Sequence, residues 1–202
     1  MIEKDCINLI KEIINSYKKS ENVSDIRLRI DLLEEVISKQ LIKHKEPTNI
    51  DVTSQITSII KLAKNSIFYS NRLYYLELIE RCSKVSPWVI GYDIDDEYFN
   101  KNFGFSELIG PNGLFYSEKI SCGFVLMGKN LNYPKHLHPA VELYEVILGP
   151  LEWKIEKNKF IAHQGELIHH RKNESHAMKT NEIPFLGIYT WIGEIETPSS
   201  FR

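Results

Sequence analysis

Six of the seven histidines lie between His136 and His176, and the densest stretch reads Lys135-His136-Leu137-His138-Pro139-Ala140-Val141-Glu142-Leu143-Tyr144. Side chains alternate faces along a strand, so His136 and His138 share a face. If Pro139 bends the chain without changing parity, Glu142 and Tyr144 join them. Two imidazoles, a carboxylate and a phenol then point into one interior. His176, beyond the turn-like segment 171–175, could complete the set from a neighbouring strand. Nitrogen and oxygen donors without thiolate suit iron(II), zinc, manganese, nickel or copper(II). Such a set leaves a position open for water or substrate. His163, His169 and His170 are read as structural or surface residues. His169 and His170 are adjacent and face opposite ways, so at most one reaches an interior.

These residues need a frame, and glycine divides the chain that supplies it. All ten glycines, and six of the eight prolines, lie from Gly91 onward. Before that point apolar residues recur at three- and four-residue steps, the mark of amphipathic helices. The sets are Ile7, Ile10, Ile13, Ile14 and Tyr17; Ile26, Ile30, Leu33 and Ile37; and Ile56, Ile59, Ile60 and Ala63. A further helix spans Asn71–Ser83, with Pro87 to help stop it. From about Gly110 short β-prone runs alternate with turn residues: Cys122–Met127, Glu142–Leu148, Leu151–Glu156, Glu166–His169 and Phe185–Ile192. Many short strands between Gly/Pro turns predict a sandwich or small barrel. The expected organisation is a helical region over 1–90, a junction over 91–109 and a β domain over 110–202. The helices would cap the barrel mouth or form a dimer contact.

Composition removes other classes. The chain has 202 residues, 43% of them hydrophobic and 26% charged, as ordinary globular domains do. A net charge of -2 offers no basic footprint for nucleic acid. No apolar run approaches the roughly 20 residues of a membrane span. Cys6, Cys82 and Cys122 are odd in number and too scattered for a disulfide framework. The acidic N-terminus lacks a signal's basic and apolar regions, so a cytoplasmic location is expected.

The spacing His136-x-His138-x3-Glu142-x6-Gly149, followed by Gly165 and His176, resembles the cupin superfamily, with His163 where proline is usual. The resemblance covers about residues 110–195. It implies a mainly β fold with α, a double-stranded β-helix barrel with one divalent metal ion inside, preceded by the helical region. A narrower resemblance is to the cupin-type dimethylsulfoniopropionate lyases. It is carried by Tyr133-x2-His136-x-His138-Pro139-Ala140-x-Glu142-Leu143-Tyr144, by Ile168-His169-His170, by Ser175-His176-Ala177-Met178-Lys179-Thr180, and by Tyr189-x-Trp191.

That likeness implies a small carboxylate substrate bearing a sulfonium group, held on iron, zinc, manganese or nickel. β-Elimination then gives dimethyl sulfide and acrylate, with a tyrosine taking the proton. Tyr133 and Tyr144 are the candidate bases. The resemblance favours Tyr133, with His138, Glu142 and His176 as ligands and His136 or Tyr144 completing the shell. Aromatic faces would receive the sulfonium through cation–π attraction, and Tyr189, Trp191, Trp153, Phe124 and Tyr116 are the candidates. Exposed sheet edges make a homodimer plausible. An oxidative or isomerising cupin acting on another small carboxylate, and a non-catalytic small-ligand binder, are the alternatives.

Overall fold

Apolar stripes at helical spacing fold the first part of the chain into α1 (Ile2–Tyr17), α2 (Ile26–Lys39), α3 (Ile56–Lys64) and α4 (Leu73–Ser83). The structure is a computed structural model that describes residues 2–20, 23–43 and 45–201. Each stripe is the buried one: Leu9, Ile10, Ile13, Ile14 and Tyr17 on α1; Ile30, Leu33 and Val36 on α2; Ile56, Ile59, Ile60 and Ala63 on α3; Leu76, Ile79 and Cys82 on α4. Leu73, at the start of α4, is 44% exposed.

The strands follow as β1 (Trp88–Val89), β2 (Phe103–Ile109), β3 (Ile120–Met127), β4 (Asn132–Leu137), β5 (Val141–Leu148), β6 (Leu151–Ile155), β7 (Asn158–Ala162), β8 (Leu167–His170), β9 (His176–Lys179), β10 (Phe185–Ile192) and β11 (Ser200–Phe201). A short helix, α5 (Glu97–Asn102), precedes β2 and is capped by Asp96, whose Oδ1 accepts from the Phe99 N–H at 3.0 Å. Two antiparallel sheets result, in the orders β1-β2-β3-β10-β5-β8 and β11-β4-β9-β6-β7. The sheet therefore starts earlier than expected. β1 and β2 fall before Gly110, and β2 pairs with β3 from Phe103↔Met127 onward.

The six-stranded sheet is covered on both faces, so β3 reads as an unbroken buried run. Phe124, Leu126, Leu143, Ile147, Leu186 and Ile188 turn outward into one core with the helices. Val125, Met127, Tyr144, Val146 and Tyr189 turn inward and share a second core with Tyr133, Trp153 and Met178 of the other sheet. The helices thus pack on the outer face of a sheet rather than over a mouth. Gly165, in the turn before β8, shows one such contact. Its φ is +84°, and an added Cβ would come 2.0 Å from the Phe68 ring.

Polar groups pin the helical layer to the sheet. The buried Arg29 of α2 donates Nη1 to the Thr190 carbonyl at 2.6 Å and Nη2 to the Val141 carbonyl at 3.1 Å. Glu145 of β5, fully buried, accepts from the Tyr75 hydroxyl at 2.8 Å and from Ser16 at 2.9 Å. Cys6, Cys82 and Cys122 are free thiols, all buried.

Candidate metal and substrate site

Cross-strand pairing brings the chemistry together. Glu142 on β5 lies opposite His170 on β8 and, on its other side, opposite Trp191 on β10. His136 on β4 lies opposite His176 on β9. His138 follows β4 directly and is buried. Donor atoms of His138, Glu142, His170 and His176 lie within 4.8 Å of one another, all four buried. His136 stands beside this group, its ring centroid 4.1 Å from that of His176.

Hydrogen bonds decide which ring nitrogens are free. A carbonyl can only accept, so the nitrogen facing it carries the proton. His136 Nδ1 faces the Pro134 carbonyl at 2.8 Å, His138 Nδ1 the Ala140 carbonyl at 2.9 Å, and His176 Nδ1 the Glu174 carbonyl at 2.9 Å. In a neutral ring Nε2 is thereby left as the lone pair, as it is in His136 and His176. That of His176 is buried with no hydrogen-bond partner. That of His138 faces Glu142 Oε2 at 3.1 Å, and without a metal the carboxylate draws a second proton onto this ring to bridge the two. A buried orphan lone pair and a second ring nitrogen aimed at a buried carboxylate are the arrangement a cation satisfies, so these residues fit a divalent metal ion. Backbone carbonyls orienting imidazoles are the usual support for such ligands.

His170 is different. The Trp153 indole N–H, a donor only, points at its Nε2 at 3.0 Å. Its Nδ1–H therefore donates to Glu142 Oε2 at 2.8 Å. Both nitrogens are spent, so His170 orients the carboxylate while stacked 3.8 Å from His176. The expectation of a structural or surface role needs this correction. His170 is fully buried at the cluster, whereas His169 turns outward to Asp25 at 3.3 Å and His163 is exposed. Trp191 completes the hold on Glu142, its indole N–H reaching Oε1 at 2.6 Å.

Charge follows from these contacts. Burial works against ionisation of Glu142, but the His138 and His170 rings and bonds hold its carboxyl well below the ordinary range. Burial lowers His136 to about 4 and, with the neighbouring rings His170 and His136, drives His176 well below its ordinary value. Both are neutral imidazoles at pH 7, as ligands must be. Burial lifts the phenols of Tyr133 and Tyr144 well above their ordinary value.

A cavity of about 260 Å³ opens on the cluster. Tyr133, His136, Glu142, Tyr144, Tyr189 and Trp191 line it, together with Tyr92, Phe103, Phe105 and residues 195–199. No residue of α1–α4 lines it. Tyr133 stacks on His136 at 4.1 Å and its hydroxyl donates to the Tyr92 hydroxyl at 2.6 Å. Of the five aromatic candidates, Tyr189 and Trp191 reach this cavity. The other three lie elsewhere. Trp153 is buried beneath His170, Phe124 faces the helices and stacks on Trp88, and Tyr116 lies under Lys43 with its hydroxyl on Glu118. Tyr92 and His170 escaped the sequence reading. Tyr92 sits in a segment without periodicity, while the parity of His169 and His170 allowed either one to face inward.

A family model for the dimethylsulfoniopropionate lyases matches residues 26–187. The chain is 34% identical over 91 residues to dimethylsulfoniopropionate lyase DddQ of Ruegeria pomeroyi, covering 45% of each chain. It is 30% identical over 111 residues to the putative dimethylsulfoniopropionate lyase DddL of Cereibacter sphaeroides, covering 54% of this chain and 47% of that one. It thus spans about half the length of the curated relatives it matches.

Among solved structures, a chain from the crystal structures of DMSP lyases RdDddP and RnDddQII has a TM-score of 0.74 at 18% identity, covering 99% of both chains. DMSP lyase DddQ from Ruegeria pomeroyi DSS-3 has a TM-score of 0.68 at 20% identity, covering 98% of this chain and 96% of that one. At these identities the likeness is one of fold. The family match runs from α2 into β10 and takes in His138, Glu142, His170 and His176. By that match this chain belongs to the dimethylsulfoniopropionate lyase family.

Proposed function

We propose that this protein is a metal-dependent lyase that cleaves dimethylsulfoniopropionate to dimethyl sulfide and acrylate. What carries the reading is the set of imidazoles whose Nδ1–H groups are spent on carbonyls, which leaves their Nε2 atoms for a cation beside Glu142, beneath a tyrosine-lined cavity. His138, Glu142 and His176, joined by His136 or Tyr144, would hold a divalent ion. Its Lewis acidity would supply charge stabilisation to the substrate carboxylate and to a nearby phenolate.

The chain's own residues do the rest. Tyr133 Oη, as phenolate, takes the proton from the carbon next to the carboxylate. The freed electron pair forms the carbon–carbon double bond, and the carbon–sulfur bond breaks with its pair going to sulfur. Dimethyl sulfide therefore leaves neutral and needs no acid. Tyr92, 2.6 Å from Tyr133 Oη, donates to the phenolate, and His136 stacks against its ring. Tyr189 and Trp191 offer π faces to the sulfonium and exclude water.

The test is acrylate release from dimethylsulfoniopropionate by purified protein under nitrogen, with and without chelator. Chelator-sensitive release without oxygen is the expected outcome. No release after loading with iron, manganese, zinc or nickel would move the proposal to another small carboxylate. A homodimer belongs to the same reading, supported by exposed Ile67, Phe68 and Tyr74 on the helical layer. Sedimentation velocity checks it.

A further inference from the structure

The cavity is polarised in a way the elimination chemistry alone does not require. Among the described residues its lining holds three carboxylates, Glu142, Glu196 and Glu107, and neither lysine nor arginine. Glu142 is committed to the imidazoles, and Glu196 is exposed. Glu107 is half-buried on β2, on the same inner face as the cluster but at the far side of the sheet.

Register fixes the relation. Glu107 lies opposite Gly123, Gly123 opposite Tyr189, and Tyr189 opposite Tyr144, so all four positions form one row across β2, β3, β10 and β5. Gly123 carries no side chain between Glu107 and Tyr189, and an added Cβ there would come 1.8 Å from the Ser106 carbonyl oxygen. β2 and β5 are three strand spacings apart, roughly 14 Å along the sheet at about 4.8 Å each. Side chains reaching in from both ends leave room for a molecule of a few carbons.

The Asn112 N–H holds Glu107 Oε1 at 3.0 Å, so the carboxylate is kept in place, and no side-chain donor among the described residues binds it. Lys45 and Lys43 act on it by charge without a hydrogen bond, Lys43 donating to the Pro111 carbonyl instead.

Resting on the lyase reading, we propose that Glu107 is the counter-ion that selects a substrate whose far end is a fully alkylated cation. Such a cation has no N–H or O–H to donate, so only charge and π faces can recognise it. A carboxylate in the same row as Tyr189 supplies the charge and the Tyr189 ring the π face, while the substrate's own carboxylate lies at the histidine cluster.

The test separates charge from shape. Zinc-loaded protein is titrated by calorimetry with 3-(trimethylammonio)propionate and with 4,4-dimethylpentanoate, its uncharged carbon isostere. Wild type is expected to prefer the cation by roughly tenfold or more. Glu107→Gln should reduce that preference to about threefold or less while keeping its melting temperature, because the amide oxygen still accepts from Asn112. Glu107→Asp, which keeps the charge but withdraws it, should give an intermediate ratio. Glu196→Gln should leave the ratio near the wild-type value.

An undiminished preference in either Glu107 variant, or none in wild type, overturns the assignment. Acrylate release is scored separately. Its absence in wild type with the charge preference intact would sink the lyase reading alone. Its presence with a preference that Glu107→Gln leaves untouched would sink the Glu107 assignment alone.

Discussion

An indole N–H can only donate, and Trp153 gives its N–H to His170. That contact fixes the tautomer through which His170 holds Glu142. Trp153→Phe keeps the aromatic volume and removes the donor. Loss of such an orienting contact weakens metal binding by roughly 10–100-fold. Competition with a chromophoric chelator measures it, with circular dichroism unchanged. A change under about twofold would show that packing alone orients His170.

Tyr133 and His176 separate chemistry from metal retention. Tyr133→Phe is expected to lower elimination by roughly 10²–10⁴-fold or more with metal content intact. His176→Ala should lose both. If Tyr133→Phe kept near-full rate, Tyr144 would become the base.

At the scale of elements, the seam between helices and sheet carries buried charge. Glu145 on β5 meets Arg72 at 3.5 Å, Tyr75 at 2.8 Å and Ser16 at 2.9 Å. Burial raises its carboxyl above the ordinary 4.5, with Arg72, Tyr75 and Ser16 pulling the other way. Between the unfolded and the raised folded value the folded state binds more protons. Stability from this group therefore falls as pH rises through that window and is flat above it. The stability of wild type relative to Glu145→Gln should decline as pH rises from about 4.5, by at most about 1.4 kcal/mol per unit. Urea unfolding at about pH 4 to pH 8 reads the difference. A pH-independent difference would mean that the pairing with Arg72 cancels the burial.

For the molecule as a whole, the helical layer covers the outer face of the six-stranded sheet. Phe124, Leu126, Leu143, Ile147, Leu186 and Ile188 all lose cover if it is removed. At about 1.5–3 kcal/mol for each buried side chain, the loss is roughly 9–18 kcal/mol. That matches or exceeds the whole stability of a typical domain, about 5–15 kcal/mol. A fragment starting at Pro87 is thus expected to unfold without cooperativity. A sharp urea transition from that fragment would show a self-sufficient sheet.

Metal addition should act at the same scale. Free ion at about a hundredfold over Kd adds about 2.7 kcal/mol to the unfolding free energy. The melting temperature should therefore rise with metal in wild type and hardly move in His176→Ala.

Local pattern was enough for the helices, whose buried stripes follow from three- and four-residue spacing. It was also enough to put His136, Glu142 and Tyr144 on one lining, because they lie within nine residues of one another and strand alternation acts over that span. Long-range pairing settled the rest. Alternation says that His169 and His170 face opposite ways, but the β5–β8 register makes His170 the inner one. β3 is buried on both faces, so its sequence cannot tell the cavity side from the helix side, and Phe124 fell on the latter. Tyr92 and Glu107 reach the cavity from a segment read as a junction, because β2 pairs with β3 and closes that side of the row. Periodicity records which residues share a face; which face becomes the interior depends on what packs against it.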